Sequence, residues 1–180
     1  MTVLLAVIAL IALQRLSELA ISARHTRQLR AKGAIEYGAR HYPLLITLHA
    51  AWLASLLVFV PWDTAPHWWL LGVLALLQCG RVWVILSLGP YWTTRIITLP
   101  GATLVRRGPY RWMRHPNYAI VAGEIAVLPL AFGAWTIAIL FSLLNAALLY
   151  HRIRVEDAAL SARRANRQDP IAEVAARRGA

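Results

Sequence analysis

The stretch AIVAGEIAVLPLAFGAWTIAILFSLLNAALLY, residues 119–150, is a long apolar run with Glu124 as its single charged residue. Written as one helix, its 32 residues would measure about 48 Å, which exceeds the ~30 Å hydrocarbon core of a bilayer. Pro129 and Gly133 interrupt the middle of the run, and both residue types favour a break in a helix. The stretch therefore predicts two membrane helices joined by a tight turn, a helical hairpin.

Three further apolar segments precede this hairpin. They cover residues 2–22, 44–60 and 68–88, and each is near the ~20 residues that cross a bilayer core. The whole chain is 59% apolar and 15% charged, with a mean hydropathy of +0.53, which is unusual for a soluble domain. We predict an all-α integral membrane protein of about five transmembrane helices, with one domain over residues 1–162 and a polar, flexible tail over residues 163–180.

Basic residues alternate with the apolar segments. The 19 basic and 8 acidic residues give a net charge of +11, and Lys32 is the only lysine. Because cytoplasmic loops are rich in Arg and Lys, we expect the basic segments inside, the N-terminus outside and the C-terminus and active site cytoplasmic, in a bacterial cytoplasmic membrane. This placement between spans disfavours a nucleic-acid partner. The basic segments are residues 24–40, 95–114 and 152–167.

Two of the basic segments carry patterns that plain loops lack. Residues 99–118, LPGATLVRRGPYRWMRHPNY, hold three prolines and two glycines, and Pro116 suits the first turn of a helix. The free backbone donors of that helix start beside Arg114 and His115, which predicts an anion site. In the last helix Arg152 and Glu156 are four residues apart and share a face. A hairpin of the last two helices would place the loop of residues 99–118 beside Arg152 and Glu156.

These patterns resemble the isoprenylcysteine carboxyl methyltransferase superfamily over roughly the C-terminal half of the chain. The N-terminal half is similar to a bacterial branch that methylates long-chain alkylpyrones and related polyketide phenols. The resemblance implies S-adenosylmethionine as methyl donor, held in a cytoplasm-facing pocket, and a lipid-like methyl acceptor that enters from the bilayer. It rests on Leu104-Val105, Gly108-Pro109-Tyr110, Arg114-His115-Pro116-Asn117-Tyr118, Arg152-Ile153, Glu156-Asp157 and Leu160, and for the branch on Gln14-Arg15, Glu18-Leu19, His41-Tyr42-Pro43 and His49.

The resemblance also implies roles for single residues. Arg152 matches the arginine that the family directs toward the methyl acceptor, and it is the predicted catalytic residue. Three positions depart from the family pattern, namely Ala102, Ile120 and Asp157, and they concern the acceptor pocket more than the cofactor pocket. The predicted cofactor-binding residues are Thr103, Leu104, Val105, Tyr110, His115, Pro116, Asn117, Tyr118 and Glu156.

Several residues keep two interpretations at this point. Arg152 and Glu156 form either a surface ion pair or two halves of a site. Arg15 and Glu18 either pair with each other or belong to the acceptor pocket. His49 and Glu124 both lie within predicted spans, and each either has a functional role or makes an interhelical hydrogen bond.

We therefore predict a membrane methyltransferase that acts on a carboxylate or on a phenolic or enolic hydroxyl of a lipid. His115 is a candidate base for a neutral phenol, although its neighbours favour cofactor binding. The single cysteine, Cys79, excludes internal disulfides, and no His and carboxylate spacing predicts a metal. Membrane lipids are the other expected partners. The alternatives are an NADPH-dependent oxidoreductase resembling sterol reductases and a non-enzymatic lipid-binding protein.

Overall fold

The computed structural model describes residues 2–103 and 105–178, the last seventeen of these for the backbone only. In these residues, five α-helices and two short strands follow one another, with 3-10 turns at Ala39–His41, Gly89–Tyr91 and Gly108–Arg111. The elements are α1 Val3–Ala31, β1 Ile35–Tyr37, α2 Tyr42–Phe59, α3 Trp68–Leu88, β2 Ile96–Thr98, α4 Pro116–Ala131 and α5 Trp135–Arg178.

Most of the described helices have the length that a membrane requires. Four of them, α1, α2, α3 and α5, include stretches long and apolar enough to span a bilayer, and α4 is a shorter apolar helix of 16 residues. Between α4 and α5, Gly133 adopts a positive φ of 69°, a conformation that glycine adopts without strain. The predicted all-α membrane fold and its C-terminal hairpin are confirmed.

Two helices continue beyond the spans that hydropathy predicts. α1 ends at Ala31 rather than near Ser22, and α5 continues past Tyr150 to Arg178. Neither continuation contains glycine, and the first proline, Pro170, comes twenty residues after Tyr150. Their alanines and arginines favour helix, so the backbone has no local reason to stop where the apolar residues stop. The backbone over residues 163–178 is thus helical, and the flexibility of this tail stays a prediction.

The two strands, which the sequence did not predict, tie the first two basic segments together. β1 and β2 pair antiparallel, with Ile35 opposite Thr98 and Tyr37 opposite Ile96. The third basic segment joins them, because Nη2 of Arg152 donates to the carbonyl oxygen of Thr94 at 2.9 Å. All three basic segments therefore lie at one end of the helical bundle, here called the basic end.

The apolar core occupies the other half of the bundle. The core is formed by the N-terminal parts of α1, α3 and α5 and the C-terminal parts of α2 and α4. Its fully buried residues include Trp52, Ile125 and Leu128. Packing is dense in that half, and the cavity that holds the motif residues opens toward the basic end.

Which side of the membrane the basic end faces is the first testable prediction. A reporter fused after Ala180 should be cytoplasmic, and one inserted beside Asp63 should be exported, because the basic residues resist transfer across the membrane. Paired phosphatase and fluorescent-protein fusions measure both positions. The opposite pattern would contradict the proposed orientation.

Candidate active site

A cavity of about 390 Å³ opens between the helices toward the basic end. Its walls come from α1, α2, α3, α4 and α5 and from the segment that contains β2. The structure brings together most of the residues that the sequence predicts for the site, although they come from segments far apart in the chain. The predicted residues that line the cavity are Tyr110, His115, Asn117, Tyr118, Arg152 and Glu156.

Four predicted cofactor residues do not line this cavity or cannot be placed. Pro116 is buried at the first turn of α4, where it fixes the start of the helix beside the cavity. Thr103 is exposed and Val105 is half-buried, and neither is part of the cavity wall. Leu104 lies outside the described residues. The cofactor roles of Thr103, Leu104 and Val105 stay predictions.

The start of α4 is tied to α5 through Glu156. The hydroxyl of Tyr118 donates to Oε2 of Glu156, and Nδ1 of His115 lies 3.7 Å from the same oxygen. The imidazole of His115 stacks on the ring of Tyr118, with centroids 5.4 Å apart. Nε2 of His115 also lies 3.4 Å from Oδ1 of Asp157. The loop motif and the last helix therefore form one polar group, as the hairpin predicts.

Arg152 is a buried cation that lacks a carboxylate partner. It is 3% exposed, it donates to the carbonyl of Thr94, and no carboxylate of the described residues forms a salt bridge with it. Its Nε has no hydrogen-bond partner in the described part of the chain. The interpretation of Arg152 and Glu156 as a surface ion pair is therefore wrong. A buried guanidinium of this kind is suited to binding an anion.

A second polar group lies deeper in the bundle and joins α1, α3 and α4. Arg81 donates through Nε to Oε1 of Glu124 at 2.9 Å and through Nη1 to Glu18 at 3.2 Å. Arg15 contacts both carboxylates, with 2.9 Å between its Nη1 and Glu18. Two amides complete the group, here called the buried charge cluster: Gln14, Arg15, Glu18, Gln78, Arg81 and Glu124.

The buried charge cluster settles part of what the sequence left open. Arg15 and Glu18 do pair, and they also line the cavity together with Arg81. Glu124 makes the interhelical contacts that one interpretation predicted. The roles of Gln78 and Arg81 were missed, although two polar residues three apart inside an apolar helix are a signal for such contacts.

His49 lines the cavity from α2 and does not make the interhelical hydrogen bond that one interpretation predicted. Its Nδ1 lies 2.8 Å from the carbonyl oxygen of Leu45, one turn earlier in the same helix. Its ring meets that of Trp52 edge to face, with centroids 6.4 Å apart. The other ring nitrogen, Nε2, makes no hydrogen bond with the described residues.

The β1–β2 segment covers the cavity and is held by Glu36. This carboxylate accepts hydrogen bonds from Arg30 and, at 2.6 Å, from Arg95. Burial raises the pKa of Glu36, but its bonds and attraction to the two arginines outweigh burial and hold the pKa below its usual range. Arg95 also lies over the ring of Tyr42, 4.2 Å from its centroid. The cover is thus anchored to both α1 and α2.

Tyr110 enters the cavity from the 3-10 turn Gly108–Arg111. Burial raises the pKa of its hydroxyl, and the nearby negative charge of Glu156 raises it further. The phenol therefore stays protonated at neutral pH and remains able to donate a hydrogen bond within the cavity.

Comparison with known proteins connects this geometry to a class of proteins. The fold and the cavity define a helical membrane protein whose site is built by a C-terminal hairpin and the proline-rich loop before it. The sequence profile described as the isoprenylcysteine carboxyl methyltransferase (ICMT) family matches residues 70–162. The chain belongs to the isoprenylcysteine carboxyl methyltransferase family, an integral membrane family, and a methyltransferase-like role follows.

Two relatives extend the similarity to the N-terminal half. The chain is 44% identical over 157 residues to the uncharacterized protein YpbQ of Bacillus subtilis (strain 168). This alignment covers 85% of this chain and 94% of the relative. It is 30% identical over 153 residues to an uncharacterized protein of Haemophilus influenzae (strain ATCC 51907 / DSM 11121 / KW20 / Rd). This second alignment covers 82% of this chain and 88% of the relative. No solved structure matches the chain.

Proposed function

We propose that this protein transfers a methyl group from S-adenosylmethionine to an oxygen atom of a lipid-like acceptor. The observation that carries the proposal is the cavity itself, which joins the family motif at its polar end to an apolar wall from α1 and α2. Ile46 of that wall is 40% exposed. On this proposal, a hydrophobic substrate enters the cavity from the bilayer on the side of this wall.

The polar end of the cavity fits S-adenosylmethionine. Arg152 Nε and Asn117 Oδ1 are buried without hydrogen-bond partners in the described residues, and a buried unpaired polar atom is costly. The methyl donor carries ammonium and amino groups for the amide oxygen of Asn117, and the guanidinium of Arg152 is left for the methyl acceptor. These unpaired atoms support a bound polar molecule at this position.

The sulfonium of S-adenosylmethionine supplies the methyl group when it is bound. Glu156, already the acceptor for Tyr118, has a second oxygen for a ribose hydroxyl. The stacked rings of His115 and Tyr118 offer a flat surface for adenine. Methyl transfer is an in-line displacement, so alignment of the two substrates and exclusion of water supply much of the rate.

Arg152 is proposed to position the methyl acceptor. Its guanidinium is buried between the hairpin and the carbonyl of Thr94, so its charge is poorly screened. An acceptor oxygen that is already ionised, either a carboxylate or an acidic phenol or enol, would be attracted to it without a separate base. His115 lies 3.7 Å from Glu156 and 3.4 Å from Asp157, and this position among the proposed cofactor residues favours cofactor binding over a role as a base.

Ligand binding by the purified protein tests the proposal. Calorimetric titration in detergent should show binding of S-adenosylmethionine and not of NADPH, the cofactor of the alternative oxidoreductase. The variant His115→Ala should bind it up to about tenfold more weakly, because the stacking surface proposed for adenine is lost. His67→Ala is the matched control, since His67 is exposed at the opposite end. Binding of NADPH instead would overturn the proposal.

A further inference from the structure

The loop before α4 presents a strongly basic surface at the basic end of the bundle. Residues 106–114, RRGPYRWMR, here called the arginine loop, contain four arginines and no acidic residue, and all four arginines are exposed. None of them forms a salt bridge with a carboxylate in the described part of the chain. Trp112 and Met113 of the same loop are 72% and 49% exposed. The proposed function uses Tyr110 of this segment and leaves its exposed side chains without a role.

The arginine loop lies against the last turns of α3. The ring of Trp112 meets that of Trp83 edge to face, with centroids 5.8 Å apart. Nε of Arg107 donates to the carbonyl oxygen of Ser87 at 2.7 Å. A Cβ atom at Gly108 would lie 2.1 Å from Oγ of Ser87, so glycine is needed for this close approach. Because Trp83 is exposed within the span of α3, Trp112 lies beside lipid at the basic end of that helix.

This combination of side chains matches the boundary between hydrocarbon and lipid head groups. Indole rings are enriched at that boundary, because one end of the ring system is apolar and the other is polar. A guanidinium binds a phosphate group through two parallel hydrogen bonds. A zwitterionic head group adds a cation that the arginines repel, whereas a phosphatidylglycerol head group carries only the negative charge. The arginine loop therefore fits an anionic phospholipid.

Other arginines at the basic end have different surroundings. Arg30 and Arg95 are paired with Glu36, which neutralises part of their charge. Arg24 and Arg27 are exposed on α1, but that helix contains no tryptophan. The arginine loop combines several exposed arginines with an exposed ring that lies beside lipid, and Arg24 and Arg27 supply a control of equal charge.

We propose that the arginine loop binds the head group of an anionic phospholipid, with Trp112 at the hydrocarbon boundary and the arginines on the phosphate. The loop ends at Arg114, and His115 and the start of α4 follow directly. A lipid bound here holds the loop against α3 and fixes the segment that carries the cavity residues Tyr110 and His115. The inference needs only the fold and the side chains of the loop, so it does not depend on methyl transfer.

Lipid selectivity in reconstituted bilayers tests the inference. The protein is placed in phosphatidylcholine bilayers that contain a trace of spin-labelled phosphatidylglycerol or of spin-labelled phosphatidylcholine. Electron paramagnetic resonance then measures the share of each label that the protein immobilises. The test variant combines Arg106→Gln with Arg111→Gln, both at exposed positions of the loop. The control variant combines Arg24→Gln with Arg27→Gln, which removes the same charge from α1.

The native protein and the control variant should immobilise phosphatidylglycerol about threefold more than phosphatidylcholine, because basic residues at the membrane surface attract anionic lipid. The test variant should lose most of this preference. No preference in the native protein would overturn the inference, and so would an equal loss in the control variant, which would show an effect of net charge alone. Excess glycerol phosphate at constant ionic strength should leave the native preference unchanged. Its abolition would contradict a lipid site and indicate a site for soluble phosphate.

Hydrogen exchange measures whether the lipid holds the loop. Amide exchange of residues 106–114 in lipid nanodiscs should be about threefold slower with phosphatidylglycerol present than with phosphatidylcholine alone, because a held loop opens less often. The variant Trp112→Ala should lose this protection, whereas the exchange of β1 should be the same in both lipids. Equal exchange of the loop in the two lipids would show that the bound head group does not hold it, and this part of the inference would be wrong.

Discussion

The variant Glu124→Ala is expected to lose about 3–5 kcal/mol of unfolding free energy, the cost of leaving buried charges unpaired. Glu124 is 1% exposed and accepts hydrogen bonds from Arg15, Gln78 and Arg81. Without its carboxylate, one positive charge remains uncompensated inside the bundle. SDS-induced unfolding of the protein in mixed micelles measures the loss.

A double variant separates charge balance from packing. Arg81→Ala together with Glu124→Ala leaves Arg15 and Glu18 as a neutral pair. The double variant should therefore lose less unfolding free energy than the two single variants lose in sum. Cys79→Ala is the control, because Cys79 is exposed on α3. This variant should change the unfolding free energy by no more than about 0.5 kcal/mol. Additive losses in the double variant would show that the buried charge cluster acts as independent contacts.

The second large effect concerns the two residues of α5 that the family motif singles out. Glu156→Ala should weaken S-adenosylmethionine binding by about 1.5–3 kcal/mol, ten- to more than a hundredfold, because a charge-assisted contact is lost. Arg152→Ala should leave that binding nearly intact and should reduce turnover of a long-chain phenol or pyrone by a similar factor. Calorimetry and a methylation assay measure the two quantities.

The control for this pair is Arg154→Ala. Arg154 is exposed and lies over the ring of Tyr150, so its loss should change neither quantity. An exposed pair is worth well under 1 kcal/mol. Small and equal effects from Arg152→Ala and Glu156→Ala would therefore contradict the separate roles and the placement of the methyl acceptor beside Arg152.

Hydropathy, turn residues and charge were sufficient to predict the architecture. Apolar runs near 20 residues must be helices in a bilayer, because every backbone polar group needs an internal partner there. Pro129 and Gly133 mark the turn of the hairpin, and the turn lies where they predict it. The spacing of Arg152 and Glu156 and the loop around His115 likewise predicted a shared site, since a hairpin leaves its two ends side by side.

The contacts between helices could not be predicted in this way. Only the pair of Arg15 and Glu18, three residues apart in α1, could be anticipated. The sequence does not say which partners Arg81 and Glu124 meet, because these come from helices that are distant in sequence. The strands β1 and β2 are only three residues each, too short to give a periodic pattern. Rotation of α2 about its axis decides whether His49 faces lipid or cavity, and only packing against its neighbours sets that rotation. The chain's composition and order thus specify a five-helix membrane protein with a site at its basic end. The pairing of buried charges, the shape of the cavity and the place of His49 in its wall arise only when the helices pack.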